Sequence, residues 1–222
     1  MTEGLSLRER KKIQTRRRLL TEATKLFTER GFDQVSVAEI AEAADVSKMT
    51  VFNYFDSKED LVFAPMEEHI GDVAQVVRNR EPGESAVAGV RRHFLTSIEN
   101  RDASVGMSAS PVALGLLQLI QQTPALLTRA HAFFVLSFDQ LTDVLVEEGE
   151  EPVIARIVAA QLIGTRNALI TENHRRLLAG ESVEEIAADA VVIAGRGFDL
   201  LEKGLGDYAT RAQPPQGPGA KP

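Results

Sequence analysis

Two helix starts lie eleven residues apart in this chain, at Ser36 and Ser47, and the little room between the helices they open constrains the fold more than any other feature. Ser36 is followed three positions on by Glu39. In that arrangement a hydroxyl and a carboxylate each satisfy a backbone amide at a helix N-terminus. The helix it opens should extend to about Ala44, and Ser47 caps a second that ends near Tyr54. Only Asp45 and Val46 remain between them, so the two helices must meet at a tight helix-turn-helix corner. Ile40, Ala41, Ala44, Val46 and Val51 can pack that corner, which leaves Ser47, Lys48, Thr50, Asn53 and Tyr54, with Met49 among them, to face outward. Hydroxyls and an amide suit base edges, lysine suits phosphate or guanine, and methyl groups suit thymine, which is how a helix reads the major groove. Ser36, Ser47 and Lys58 stand at helix N-termini, where backbone amides favour a phosphate.

The rest of the chain follows the same spacing. Apolar residues recur every three to four positions, strand-like alternation is scarce, and Gly and Pro fall mainly between the apolar runs, so an all-α fold of about nine helices is expected. The first helix should run from Ser6 to Arg30, with Ile13, Leu19, Leu20, Ala23, Leu26 and Phe27 on one stripe and Gly31 as its stop. Ser57 with Asp60 opens a helix expected to continue to about Arg80. Longer helices follow at about Glu84 to Asn100, Pro111 to Gln122, Pro124 to Glu148, Pro152 to Ala179 and Val183 to Leu205, with prolines in first-turn positions. The domain reading is a three-helix head over residues 1–60, a larger helical domain over 61–211, and a Pro/Gly-rich tail over 212–222 expected to be disordered.

With Leu7 to Val62 placed in this way, the stretch TRRRLLTEATKLFTERGFDQVSVAEIAEAADVSKMTVFNYFDSKEDL resembles the DNA-binding domain of the tetracycline-repressor (TetR) family. The likeness rests on Thr15-Arg16, Leu26-Phe27, Gly31-Phe32, Val37, Ile40-Ala41, Ala44, Val46-Ser47, Thr50, Tyr54-Phe55, Ser57-Lys58-Glu59 and Leu61, all in register. The chain departs from the family's pattern at four places. Asp45 stands where glycine is usual, and Asp is one of the few residues that tolerate a left-handed turn. Met49 replaces a small residue, Phe52 a tyrosine that often bonds phosphate, and Asp56 a proline, so the operator sequence stays open.

Charge is divided to match. The net charge is −7, yet residues 5–30 carry nine Lys/Arg against three Asp/Glu, whereas residues 61–222 carry 14 against 21. A basic head on an acidic body suits nucleic-acid binding. Arg8, Arg10, Lys11, Lys12 and the run Arg16–Arg18 can attract phosphate, with Arg8 and Arg10 placed to reach a minor groove. The 44% hydrophobic content suffices for a real core. The chain has no cysteine, which suits a reducing cytoplasm. No signal peptide and no uninterrupted membrane-length apolar run is read, so a cytoplasmic protein without membrane contact is expected.

For the body, the resemblance implies a homodimer formed by the last two helices, with two-fold symmetry presenting two recognition helices to a palindromic double-stranded operator. The final helix agrees, since Ile186, Ala187, Ala190, Val191, Ile193, Ala194, Gly197, Phe198 and Leu201 offer more apolar surface than one intramolecular face needs. The resemblance also implies a small-molecule effector site in the middle of the body. Candidate lining residues are Phe94, Met107, Phe133, Phe134, Phe138 and Ile163, with His93, His131, Arg166 and Asn167 as polar anchors, a set that suits a largely apolar effector. An enzyme is disfavoured, because the four histidines show no metal-ligand spacing and neither a phosphate-cradling glycine loop nor a GxSxG elbow occurs. No cofactor or metal is called for. The rival reading keeps the fold but drops the effector, giving an architectural DNA binder or one controlled by a protein partner.

Overall fold

The computed structural model describes residues 6–204. The expected tail at 212–222 and the last residues of the expected body lie outside that range. Among the described residues all regular structure is helical: α1 (Leu7–Arg30), α2 (Val37–Ala43), α3 (Lys48–Phe52), α4 (Asp60–Glu67), α5 (Asp72–Arg78), α6 (Ala86–Glu99), α7 (Pro111–Gln122), α8 (Pro124–Glu147), α9 (Pro152–Leu178) and α10 (Val183–Lys203), with one 3-10 turn at Ala103–Val105. The additional helix relative to the expected count comes from the stretch expected to run unbroken to Arg80. Pro65 removes the amide that would bond back toward Leu61, and the chain turns at Glu68–Gly71 before α5 begins.

Local chemistry sets the helix ends. Ser6, Ser36 and Ser182 each form a full capping box, with Glu9, Glu39 and Glu185 respectively. Ser57 and Asp60 make the same reciprocal pair of bonds at 2.8 and 3.2 Å, one turn ahead of α4. Three carboxylates used in these boxes, Glu9, Glu39 and Glu185, are held below their ordinary pKa by the serine hydrogen bonds they accept. For Glu39 the backbone amide of Ser36 leads, with Arg30 and the Ser36 hydroxyl adding to it, and the value falls to about 2.

Two apolar clusters organise the molecule. The first holds Leu19, Ala23 and Phe27 of α1 against Ile40, Ala41, Ala44 and Val51, and it runs past residue 60 to take in Leu61–Ala64 of α4. Leu116, Leu119 and Ile120 of α7 and Leu126 of α8 complete it, so the head shares its core with the body. Ile13, expected on the buried stripe, is 39% exposed because α1 projects past its neighbours there. The second cluster joins α5, α6, α8, α9 and α10 through Val77, Phe94, Ile98, Leu141, Leu162, Ile186 and Phe198.

Helix α9 keeps Arg156 and Arg166 within its apolar length, so no membrane-length run in it is uninterrupted. By length and composition it is apolar enough to cross a membrane, with a mean hydropathy of 1.3 over its most apolar window. Its apolar residues divide between two tasks. Ala155, Ala159, Leu162, Ile163 and Leu169 enter the second cluster, while Val153, Ile154 and Ile157 stay exposed.

Candidate nucleic-acid interface and cavity

The corner between α2 and α3 turns on one residue. Asp45 has φ 51°, the left-handed conformation that the turn demands and that glycine usually supplies. Its carbonyl accepts a bond of 3.3 Å from the Arg18 guanidinium, which ties the corner to α1. Val46 and Ala44 bond back to α2, and Ser47 caps α3 by accepting from the amide of Thr50 at 3.0 Å.

Capping consumes some of the polar atoms expected to face outward. The Ser47 hydroxyl also pairs with the Thr50 hydroxyl at 2.8 Å, and the Ser36 hydroxyl donates to Glu39 at 2.8 Å. Lys48 and Asn53 are exposed, Met49 is 70% exposed, and the Lys48 ammonium lies 5.9 Å from the centroid of the exposed Phe52 ring. Thr50, Asn53 and Tyr54 share one shallow groove with Leu7, Arg8, Lys11, Lys12 and Thr15 of α1. The basic start of α1 and the polar face of α3 are thereby one continuous surface. Arg10 is exposed on the same helix but does not line this groove.

Lys58 needs correction. Its ammonium donates to the carbonyls of Phe32 at 2.9 Å and Val35 at 3.1 Å and sits 4.0 Å from the centroid of the Phe32 ring. That cation closes the loop between α1 and α2 instead of facing outward. Arg16 is similarly engaged, stacked 5.6 Å from Phe55 and 3.5 Å from Glu68.

Residues 19–64, which hold the α2–α3 corner and the whole of α3, match the family described as bacterial regulatory proteins, tetR family. That segment is a TetR-family DNA-binding domain. The transcriptional regulator TcmR of Streptomyces glaucescens is 32% identical over 127 residues, covering 56% of this chain and 55% of that protein. The transcriptional activator FasR of Mycolicibacterium smegmatis is 31% identical over 86 residues, covering 39% of this chain and 33% of that protein. The matches thus span about half or less of these curated relatives. NalD, the secondary repressor of the MexAB-OprM multidrug efflux pump in Pseudomonas aeruginosa, superposes with a TM-score of 0.56 at 19% identity, over 83% of this chain and 96% of that chain. That likeness shows a shared fold.

A second candidate site lies in the body. A cavity of about 240 Å³ opens between α4, the α4–α5 corner, α8 and α9. Phe63, Met66, Phe133, Phe134 and Ile163 form apolar walls, and His69, Ser104, Ser137, Arg166, Asn167 and His174 supply polar atoms. Of the residues expected to line an effector site, Phe134, Ile163, Arg166 and Asn167 are here, as is Phe133. Phe94, Met107, Phe138 and His131 are not. Phe94 and Met107 are 1% and 2% exposed in the second cluster, where α6 and the loop after the 3-10 turn bury them against α9 and α10. Phe138 packs on that cluster beneath the Arg156 guanidinium, and His131 turns outward to the Leu127 carbonyl at 2.8 Å.

The polar lining residues that the sequence did not single out are His69, Ser104, Ser137 and His174. Only the break between α4 and α5 brings His69 and Ile70 to the cavity, and the sequence offered Pro65 and Gly71 as its signal. His93, expected as an anchor, does not line the cavity, and burial and then the Arg166 charge depress its pKa. The pKa of His174 is lowered by burial alone. Among the described residues no cluster of His, Asp and Glu side chains could hold a metal ion.

Proposed function

We propose that this chain is a ligand-responsive repressor that binds a palindromic operator as a homodimer and is released when a small, largely apolar effector enters the cavity of the body. The observation that carries the DNA-binding part is the groove where Thr50, Asn53 and Tyr54 of α3 meet Arg8, Lys11 and Lys12 of α1. Base-edge chemistry and phosphate attraction stand side by side there, as a major-groove reader requires. Ser36, Ser47, Lys48, Met49, Thr50, Asn53, Tyr54, Arg8 and Arg10 are the proposed contacts. Lys58 contributes only its helix-start position.

The dimer part is supported by α9 and α10. One side of α10 is buried in its own chain through Ile186, Ala190, Ala194 and Phe198, yet Val192, Ile193 and Leu200 remain exposed. Ile193, Gly197 and Leu200 line a groove with Thr165, Ala168 and Leu169 of α9, a surface suited to a four-helix contact with a second copy.

Release is supported by who owns the cavity wall. Phe63 is fully buried in the head's cluster and also lines the cavity, where its ring meets Phe133 edge-on at 5.1 Å. Helix α8 is tied to both ends of the α4 segment, by Arg129 to Asp60 at 2.9 Å and by Ser137 to the Ile70 carbonyl at 2.9 Å. A ligand that parts α8 from α4 would move the head, and its effect on operator affinity equals its preference between the two states. The names of relatives include both an activator and a repressor; repression is proposed because a dimer seated on a promoter obstructs it.

The test is DNA affinity over a salt series for the duplex beside the chain's own coding region, with wild type, Lys48→Ala and Tyr54→Ala. Wild type should bind with a steep salt slope, and each variant should lose affinity by about tenfold or more. Binding no tighter than to random DNA, unchanged by both substitutions, would remove the reading.

A further inference from the structure

Arg166 sits at the cavity in a state that folding alone does not explain. Its Nε is buried without a hydrogen-bond partner. Asp72 and Asp102 act on the guanidinium only through space, and burial dominates, driving its pKa down. Asp72 is committed to His69, whose Nδ1 lies 2.8 Å from it, and Asp102 caps the 3-10 turn by accepting from Ser104 at 2.8 Å. Leaving even one guanidinium N–H of a half-buried arginine without an acceptor costs free energy, so such a group persists where something else pairs with it. The cation also borders a pocket whose other walls are Phe63, Phe133, Phe134 and Ile163.

We propose that the cavity takes a small amphipathic monocarboxylate, its carboxylate on Arg166 and its aromatic or short alkyl body against the phenylalanine walls. This rests on reading the cavity as the effector site. Three features select that class. Guanidinium and carboxylate match in geometry and make charge-assisted bonds. Asp72 and Asp102 bond the cavity-lining His69 and Ser104, which puts two carboxylates behind the same wall to oppose a second negative charge and favours a monoanion over a phosphate dianion. The 240 Å³ volume is below the usual range for drug-sized ligands, roughly 300–1,000 Å³, so the body is short.

The experiment uses the full chain and two isosteric sets, 3-phenylpropionate with 3-phenylpropanol and 3-phenylpropylamine, and octanoate with octanol and octylamine. Binding is read by calorimetry and by the rise in Tm. In wild type the acids should bind about tenfold to a hundredfold tighter than the alcohols, and the amines should bind weakest. Arg166→Met should bind acid and alcohol alike, and its own Tm without ligand should rise, because the unpaired charge is gone. Arg166→Lys should keep a preference for the acids. Alcohols matching acids in wild type, or an acid preference surviving in Arg166→Met, would overturn the inference while leaving the cavity as a ligand site. If no compound binds and none alters DNA affinity, the cavity reading falls with it.

Discussion

Asp45 and Lys58 are two residues whose roles differ in kind although both lie in the matched head. Asp45 holds a positive φ of 51° at the corner, so its requirement is conformational. Asp45→Gly should leave stability unchanged or raise it. Asp45→Val should cost about 1–2 kcal/mol, because a β-branched side chain resists the left-handed region; equal Tm values for both variants would refute this. The Lys58 ammonium is spent on the carbonyls of Phe32 and Val35. Lys58→Met should therefore lower Tm while leaving the salt slope of DNA binding intact, whereas Lys48→Ala should lower the slope by about one and spare Tm. The sequence made Asp45 legible, since few residues can replace glycine there. It could not reveal Lys58, whose carbonyl partners belong to a loop whose path no local pattern specifies.

At the scale of elements, the helices with strong local signals were readable almost to the residue. Pro111, Pro124, Pro152 and the Ser182 box fix the starts of α7 to α10 where chain chemistry alone puts them. The α4–α5 break was missed because Pro65 and Gly71 are each compatible with a helix, and packing against α8 decides the outcome. The cavity was only partly legible for the same reason. Spacing gives the face of α9 that carries Ile163 and Arg166, but whether Phe94 or Phe134 meets it depends on how α6 and α8 dock. One close approach makes the docking testable. A Cβ on Gly115 of α7 would stand 2.6 Å from Thr28 Cγ2 on α1. Gly115→Val should destabilise by about 1–3 kcal/mol, seen as a lower urea midpoint, and an unchanged midpoint would mean that α1 and α7 are not held this closely. On the proposed dimer face, Ile193→Glu should convert dimer to monomer in sedimentation with helicity retained; a dimer of unchanged affinity would move the interface elsewhere.

The whole molecule couples charge to folding in one direction. Glu39 has a depressed pKa of about 2, so its capping contribution is present above the ordinary carboxylate range and is lost as pH falls toward that value. Burial depresses His93 and His174, so the unfolded chain takes up their protons first and stability falls as pH drops through the ordinary histidine value of 6.5. Tm should be level near neutrality, decline below about pH 6.5 and decline further below the carboxylate range; a Tm that rises on acidification from pH 7 to 5 would contradict it. The same body that carries these groups shares its core with the head through Leu116, Leu119 and Ile120, so the proposed ligand, dimer and DNA surfaces would act on one packed unit. Whether this unit reads DNA through α3 as a two-fold dimer is decided by selection of bound sequences from random duplex DNA by the full chain. An inverted repeat with half-site centres about 34 Å or more apart should be enriched, and the enrichment should be lost in Lys48→Ala. Recovery of a single unrepeated motif, or of no motif at all, would contradict it.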